Sequence, residues 1–135
     1  MSTKTKKTAK GFDYKTIKTF EDACKKLGID PSKLPDVSNL LEEVAKPIIA
    51  YYKLLIIYKA INNGWMPNWD NSNQLKYYPW YWVLSSGFGF SHSTYGFTLA
   101  SPVVGSRLCT DISDKALHIA KQFEAEYRDY LLYSE

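Results

Sequence analysis

The residues best suited to nucleophilic catalysis in this sequence are His92, Cys109 and Arg107. His92 stands in the tetrapeptide SHST, and strand pairing could bring Cys109 close to it as a nucleophile. Covalent catalysis needs a nucleophile, a base and a third group that orients the base. No G-x-S-x-G elbow is present to expose a nucleophile. We therefore predict that His92 is an exposed loop histidine and that the protein is not an enzyme.

Residue spacing also argues against metal and phosphate sites. The two Cys and two His all lie more than five residues apart, whereas a zinc site needs ligands that converge at short spacing. An EF-hand starting at Asp70 would need Gly in its sixth position and Glu in its twelfth, which here hold Leu75 and Tyr81. Gly87 and Gly89 lack the further residues of a phosphate loop and predict a β-bulge or a tight turn. We expect no metal and no cofactor.

The segment KYYPWYWVLSSGFGFSH, residues 76–92, is the most aromatic part of the chain. In an extended strand, Tyr78, Trp80 and Trp82 point to one face and Tyr81 points to the other. Two apolar faces indicate a strand covered on both sides, but so short a chain has too few helices to cover both. Some rings should then stay accessible as a contact site. The opposite interpretation, that nearly all these rings belong to the core, remains open.

The predicted contact site includes residues from outside this strand. Arg107 is expected beside Tyr81 on the outer face of the sheet, where a ring and a guanidinium suit a base, a sugar or a protein backbone. The loop WMPNWDNSNQ adds two Trp among amide side chains, a composition that suits sugar hydroxyls. The predicted binding residues are Trp80, Tyr81, Trp82, Arg107, Trp65 and Trp69.

Positive charge is concentrated near the N-terminus. Residues 1–20 carry six Lys and one Asp, a balance of +5, whereas the remaining residues hold 11 basic and 13 acidic groups. We predict that residues 1–16 form a disordered basic arm, because they offer little that a core can bury. The arm is expected to keep the protein soluble. An alternative is that it seeks nucleic-acid phosphates through Lys4, Lys6, Lys7 and Lys10.

The same stretch of sequence bears on localisation. The arm lacks the apolar region of a secretory signal. The longest apolar run, Pro47 to Ile61, has 15 residues and is interrupted by two Lys, so it is too short and too charged to span a bilayer. Cys24 and Cys109 are therefore predicted to be reduced thiols of a cytoplasmic protein, buried as small core residues.

Capping signals and periodicity predict an α+β fold over residues 17–135, a single domain. A short helix is capped by Thr19 and Asp22 and ends at Gly28. A buried central helix begins near Asn39 or at Pro47, and a C-terminal amphipathic helix begins at Asp111 or Ser113. In the C-terminal helix, His118 is expected to lie off the apolar stripe and in solvent. Strands are predicted at residues 78–84, 93–100 and 103–110, which would form a small three-stranded antiparallel sheet.

Four segments carry a resemblance to a known family: IKTFEDACKKLGI, KPIIAYYKLLIIYKAINNGWMPNW, the aromatic–glycine segment, and VGSRLC with the following AKQFEAEY. The chain resembles a family of small uncharacterised proteins encoded by bacteriophages and prophages of gut Bacteroidota, over residues 17–132. Members usually carry an aromatic where Thr110 stands, so a packing contact would be missing here. The family has no established activity, so the resemblance implies context only: a phage product in the bacterial cytoplasm or in the virion.

These observations lead to ranked hypotheses. The first is a non-enzymatic phage accessory or structural protein that binds a virion or host protein, or itself, through the aromatic sheet face. The second is a single-stranded nucleic-acid-binding protein that stacks bases on the same rings and grips phosphates with the arm. Its weakness is the nearly neutral body, since dedicated binders surround the stacking platform with basic groups. Glycan binding comes third and an enzyme last.

Overall fold

A computed structural model describes residues 11–84, 87–96 and 107–132; within the strands it describes the side chains of residues 76–81, 88, 89 and 93. After a 3₁₀ turn at Tyr14–Thr16, the elements are helices α1 at Phe20–Leu27 and α2 at Glu42–Asn62, strands β1 at Lys76–Leu84 and β2 at Gly87–Gly96, and helices α3 at Ser113–Gln122 and α4 at Glu124–Leu131. The helices flank one antiparallel hairpin in the chain order, so the fold is α+β, as predicted.

Helix α1 begins and ends where its sequence predicts. The Thr19 hydroxyl accepts the Asp22 N–H at 3.0 Å, and the Asp22 carboxylate accepts the Thr19 N–H at 3.1 Å. A further bond from the Lys18 N–H is the main cause of the lowered pKa of Asp22. Gly28 ends the helix with φ at +72°, a left-handed conformation that costs glycine little.

Helix α2 is the central helix, and it starts between the two predicted positions, closer to Asn39 than to Pro47. It begins at Glu42 and continues through the proline, because the preceding residues EEVAK are mostly good helix formers. Its second half is the centre of the core, with Leu54, Ile57 and Ile61 fully buried. It ends as predicted, at Asn63 in the left-handed conformation.

Strands β1 and β2 pair in antiparallel register. Trp80 lies opposite His92 and Tyr81 opposite Phe90, so Ser91 is an extra residue on β2. This bulge lies two residues beyond Gly89, and β2 starts six residues before the predicted strand at residues 93–100. The bulge matters for the site because it changes the local twist beside Trp80 and Tyr81.

The edge of β1 that faces away from β2 carries the contact with the C-terminal part of the chain. The Tyr77 N–H donates to the Thr110 carbonyl at 2.9 Å, and the Thr110 N–H donates to the Tyr77 carbonyl at 2.8 Å. Backbone groups alternate in direction along a strand, so Pro79 also faces this edge and its missing N–H costs the β1–β2 ladder nothing. Of the predicted strand at residues 103–110, residues 103–106 lie outside the described part of the chain, and Thr110 forms the one isolated bridge there.

The C-terminal helix is two helices. Phe123, with φ at −117° and a buried ring, separates α3 from α4. Neither Ser113 nor Asp111 caps α3; Ile112 occupies the cap position without a side-chain hydrogen bond, and Asp111 instead pairs with Lys115 at 3.0 Å. The break could not be predicted from the sequence, because residues 113–131 contain neither Gly nor Pro.

One core joins these elements. Helix α2 packs against α1 and α4, while α3 packs against both strands. Cys24 and Cys109 are both free and fully buried in this core, which confirms their prediction as small core residues.

Two helices have an apolar residue at the N-cap, so no side chain there accepts a hydrogen bond from the first turn. Leu41 precedes α2 and Ile112 precedes α3, and each has extended backbone angles that a capping serine also adopts. Leu41→Ser and Ile112→Ser should each raise the free energy of unfolding by about 0.5–1 kcal/mol, because a serine hydroxyl at the N-cap can accept a hydrogen bond from the backbone of the first turn and an apolar side chain cannot. Urea denaturation measures the change.

The existing cap of α1 is the reference for that experiment. Thr19→Ala should lower the free energy of unfolding by about 1 kcal/mol through loss of the reciprocal bonds with Asp22. If the two serine variants are less stable than the parent, the exposed apolar side chains contribute more than the missing caps.

Candidate functional site: the aromatic hairpin

Tyr81 anchors the hairpin to the rest of the protein. Its hydroxyl donates to the Ala120 carbonyl in α3 at 2.7 Å. Its ring centroid lies 4.9 Å from that of Phe88 on β2 and 4.9 Å from that of Tyr127 on α4. Burial is the main cause of its raised pKa. The prediction that Tyr81 lies on the outer face is wrong, because its ring and its hydroxyl both have partners on the helices below.

Beneath Tyr81 lies a pair of buried phenols. The Tyr58 and Tyr127 hydroxyls are 2.5 Å apart, and both side chains are almost fully buried. Burial raises the pKa of both groups, so both are protonated at neutral pH and one hydroxyl donates to the other. This pair ties α2 to α4 directly below the position where Tyr81 inserts.

Trp80 projects to the opposite side of β1 and is the exposed ring of the site. It is 43% exposed, one of the few large apolar side chains open to solvent in the described part of the chain. The next residue on the same face, Tyr78, is only half-buried, whereas Lys76 is 1% exposed. Cover therefore decreases along this face from Lys76 towards Trp80.

The loop between α2 and β1 provides that cover. The Lys76 ammonium donates to the carbonyls of Asn71 at 3.1 Å and Gln74 at 3.0 Å, and it lies 5.0 Å from the Trp69 ring centroid. A buried lysine is tolerated only when its donors are satisfied, and two carbonyls and a ring face do so here. The loop thus closes over Lys76 and stops before Trp80.

Gly89 extends the uncovered surface across to β2. It pairs with the backbone of Trp82, two residues along β1 from Trp80, so a side chain at position 89 would lie on the same face as Trp80. A Cβ built on Gly89 has no atom within 4 Å, which means open space above the strand. We call the surface formed by Trp80 and Gly89 the open hairpin face.

The structure separates the other predicted binding residues. Trp65 and Trp69 are half-buried against the core, and Trp69 lies over Lys76. Arg107 is exposed, but the ring predicted to stand beside it on an outer face, Tyr81, points inward. The Trp82 side chain and the arm residues Lys4, Lys6, Lys7 and Lys10 lie outside the described part.

Of the catalytic candidates, the structure describes the side chains of Cys109 and Arg107, and Cys109 is not placed to act as a nucleophile. Burial raises the pKa of the Cys109 thiol to about 11, so it stays protonated at neutral pH, and it is fully buried. The side chains of Ser91 and His92 lie outside the described part. The solvated position predicted for His118 is wrong: its Nε2 lies 2.8 Å from the Ile17 carbonyl, and its ring packs edge-on against Tyr14.

Sequence reasoning missed the environment of two residues, Lys76 at the edge of the site and His118 on α3. From the sequence, Lys76 looks like an ordinary surface lysine at the start of a strand. Its burial could not be predicted, because the groups that accept its hydrogen bonds are backbone carbonyls, which every residue has. His118 reads as off the apolar stripe, yet the N-terminal segment packs over it; the neighbouring Gln122 amide donates to the Lys18 carbonyl at 3.0 Å. Both contacts are to backbone atoms, which a pattern of side chains does not specify.

Comparison with protein-family models, with curated proteins and with solved structures found no match to this chain. Within the described ranges, no three His, Cys, Asp or Glu side chains are grouped so that they could hold a metal ion. Helices with the length and apolarity needed to cross a membrane are likewise absent from those ranges. Function must therefore be argued from the open hairpin face itself.

Removing the Tyr81 hydroxyl should loosen the hairpin without opening the core. Tyr81→Phe keeps the ring contacts but leaves the bond to Ala120 unmade, so we expect the free energy of unfolding to fall by about 1 kcal/mol. Trp80→Phe, the matched change on the exposed face, should cost less than about 0.5 kcal/mol. Urea denaturation of both variants tests this, and equal losses would contradict the division into inner and outer rings.

Alkaline pH should destabilise the fold. The Cys109 thiol has an ordinary pKa of 9.0 when unfolded and about 11 when folded, so the folded chain holds the proton more tightly between these values. The free energy of unfolding should therefore fall as pH rises from about 9 to about 11. The buried Tyr58 and Tyr127 phenols, whose pKa values are also raised, add to the loss above about pH 10.

Urea denaturation at a series of pH values measures this slope. Cys109→Ala should be less stable overall because it leaves a cavity, yet its stability should depend less steeply on pH over the lower part of that range. A free energy of unfolding that stays constant or increases from pH 9 upward would contradict the burial of these groups.

Proposed function

We propose that this protein is a non-enzymatic binding module that docks onto a protein partner, or onto a second copy of itself, through the open hairpin face. The observation that carries the proposal is Trp80, an indole exposed on a strand whose neighbouring ring is locked into the core. Trp is the residue most enriched among those that dominate the energy of protein interfaces.

The anchoring of Tyr81 supports this function energetically. A strand that is fixed on one side presents the next residue on the other side with little freedom, so binding through Trp80 costs little additional entropy. Gly89 leaves room beside it, and an approaching backbone or side chain can fill that room. Exposed aromatic surface of this kind on an otherwise well-packed domain marks contact sites.

The nearly neutral charge of the body favours a protein partner over single-stranded nucleic acid. A nucleic-acid platform places basic groups around the stacking rings. The lysine that shares the Trp80 face, Lys76, is buried and donates to loop carbonyls, so it does not reach a phosphate. Nucleic-acid binding would then depend on the arm residues Lys4, Lys6, Lys7 and Lys10.

Two finer hypotheses accompany this function. The paired hydrogen bonds between Tyr77 and Thr110 support a third strand over residues 103–110, added to the free edge of β1. The family resemblance suggests a phage accessory or structural protein that acts in the bacterial cytoplasm or in the virion. Mass spectrometry of purified virions against infected-cell lysate distinguishes those two locations.

The docking hypothesis is tested with two variants that alter the face but keep the fold. Gly89→Arg places a long charged side chain in open space, and Trp80→Ala removes the ring. Met66→Ala is the control, since Met66 is 78% exposed but lies in the loop outside the face. Each tagged protein is used for quantitative capture from cells carrying the phage, and for sedimentation over a range of concentrations.

One partner, or one self-association step, should be lost in both face variants and kept in the control, with affinity weakened about thirtyfold or more. Binding that is equal in all four proteins overturns the hypothesis. A captured partner that is nucleic acid, released steeply by salt and by deletion of residues 1–10, would instead establish the alternative function.

A further inference from the structure

A second surface, far along the chain from the hairpin, is also uncovered. Of the large apolar side chains that are exposed in the described part, five fall between residues 34 and 48: Leu34, Leu40, Leu41, Val44 and Ile48. Leu41, Val44 and Ile48 are spaced three and four residues apart and therefore lie along one stripe of α2. Helix α2 thus buries its second half while its first half presents apolar surface to solvent.

A groove runs beside this stripe, between the first half of α2 and α4. Its volume is about 950 Å³. Its apolar lining consists of Leu41 at the N-cap of α2, Ala45, Ile49 and Ala50 within α2, and Ala125 in α4. From Glu42 to Lys53 the groove follows α2 over 12 residues, or about 18 Å of helix, which matches roughly three turns of another helix.

The rim of the groove is acidic. It carries four carboxylates, on Glu42, Glu43, Glu126 and Asp129, and two ammonium groups, on Lys46 and Lys53. The Lys46 ammonium lies 3.9 Å from the Asp129 carboxylate, so these two charges offset each other, and the Lys53 ammonium lies 5.3 Å from the Phe20 ring centroid. Because the carboxylates outnumber the ammonium groups by two, the net charge of this rim is negative.

From these features we infer that the groove between α2 and α4 binds a basic amphipathic helix of a partner protein. The apolar face of that helix packs on the alanine and leucine lining, and its Lys or Arg side chains reach the carboxylates of the rim. An acidic partner would meet like charges at the same rim. This site is independent of the open hairpin face, so each can fail without the other.

The probe is a fluorescein-labelled peptide of about 18 residues with Leu on one helical face and Lys on the other. Peptides with Glu in place of Lys, and with the Leu and Lys order scrambled, are its controls. Binding to the full chain is measured by fluorescence anisotropy. The Leu–Lys peptide should bind at least tenfold more tightly than either control.

Two pairs of protein variants locate the binding. Leu41→Ser removes the apolar lip of the groove while supplying a helix cap, and Ile112→Ser makes the same change at the start of α3. Glu42→Lys reverses a rim charge in the first turn of α2, and Glu21→Lys reverses one in the first turn of α1. Each groove variant should weaken the Leu–Lys peptide about tenfold, and each control should leave it unchanged.

Three results would overturn the inference: no preference for the Leu–Lys peptide, equal weakening by the groove and control variants, or loss of binding in Trp80→Ala. A fourth would be a rise in peptide affinity of tenfold or more when residues 1–10 are deleted. That rise would mean that the basic arm of this chain, rather than a partner, occupies the groove.

Discussion

The insertion of Tyr81 between the hairpin and the C-terminal helices is the contact on which the arrangement of this protein depends. Its ring packs on Tyr127 and its hydroxyl reaches Ala120, while Tyr127 in turn bonds to Tyr58 on the central helix. Three elements distant in sequence are thereby joined through phenol side chains. Because neighbouring residues of a strand point to opposite faces, burial of Tyr81 turns Trp80 outward. The exposed ring is thus a consequence of the anchored one.

On the Trp80 face, the hairpin is covered by the loop between α2 and β1 rather than by a helix. The carbonyls of Asn71 and Gln74 hold the Lys76 ammonium, and this fixes how far the loop extends along β1. A shorter side chain at this position would leave both carbonyls without that donor. The loop therefore both stabilises the start of the strand and sets the boundary of the open hairpin face. A similar division runs along α2, whose second half is core and whose first half, from Glu42, carries uncovered apolar residues.

Much of the local structure could be predicted because it depends on neighbours in sequence. The capping box of Thr19 and Asp22, the stop at Gly28 and the end of α2 at Asn63 need only a few adjacent residues. The start of α2 and the break at Phe123 could not, because helix boundaries away from caps depend on what packs against them. The α+β class follows from the order of elements, whereas the pairing of Tyr77 with Thr110 joins residues 33 positions apart.

From composition and chain length alone, the sequence predicted that some aromatic rings would stay accessible, and Trp80 is 43% exposed. The sequence also determined that residue spacing supports no metal or phosphate motif. Only the tertiary structure decided which of Tyr81 and Trp80 is exposed, because these adjacent residues are equally suited to a core. Their burial differs because α3 and α4 cover one face of β1. On the other face, the loop between α2 and β1 covers Lys76 but does not reach Trp80. The direction from which a strand is covered is a property of long-range packing, and no local pattern encodes it.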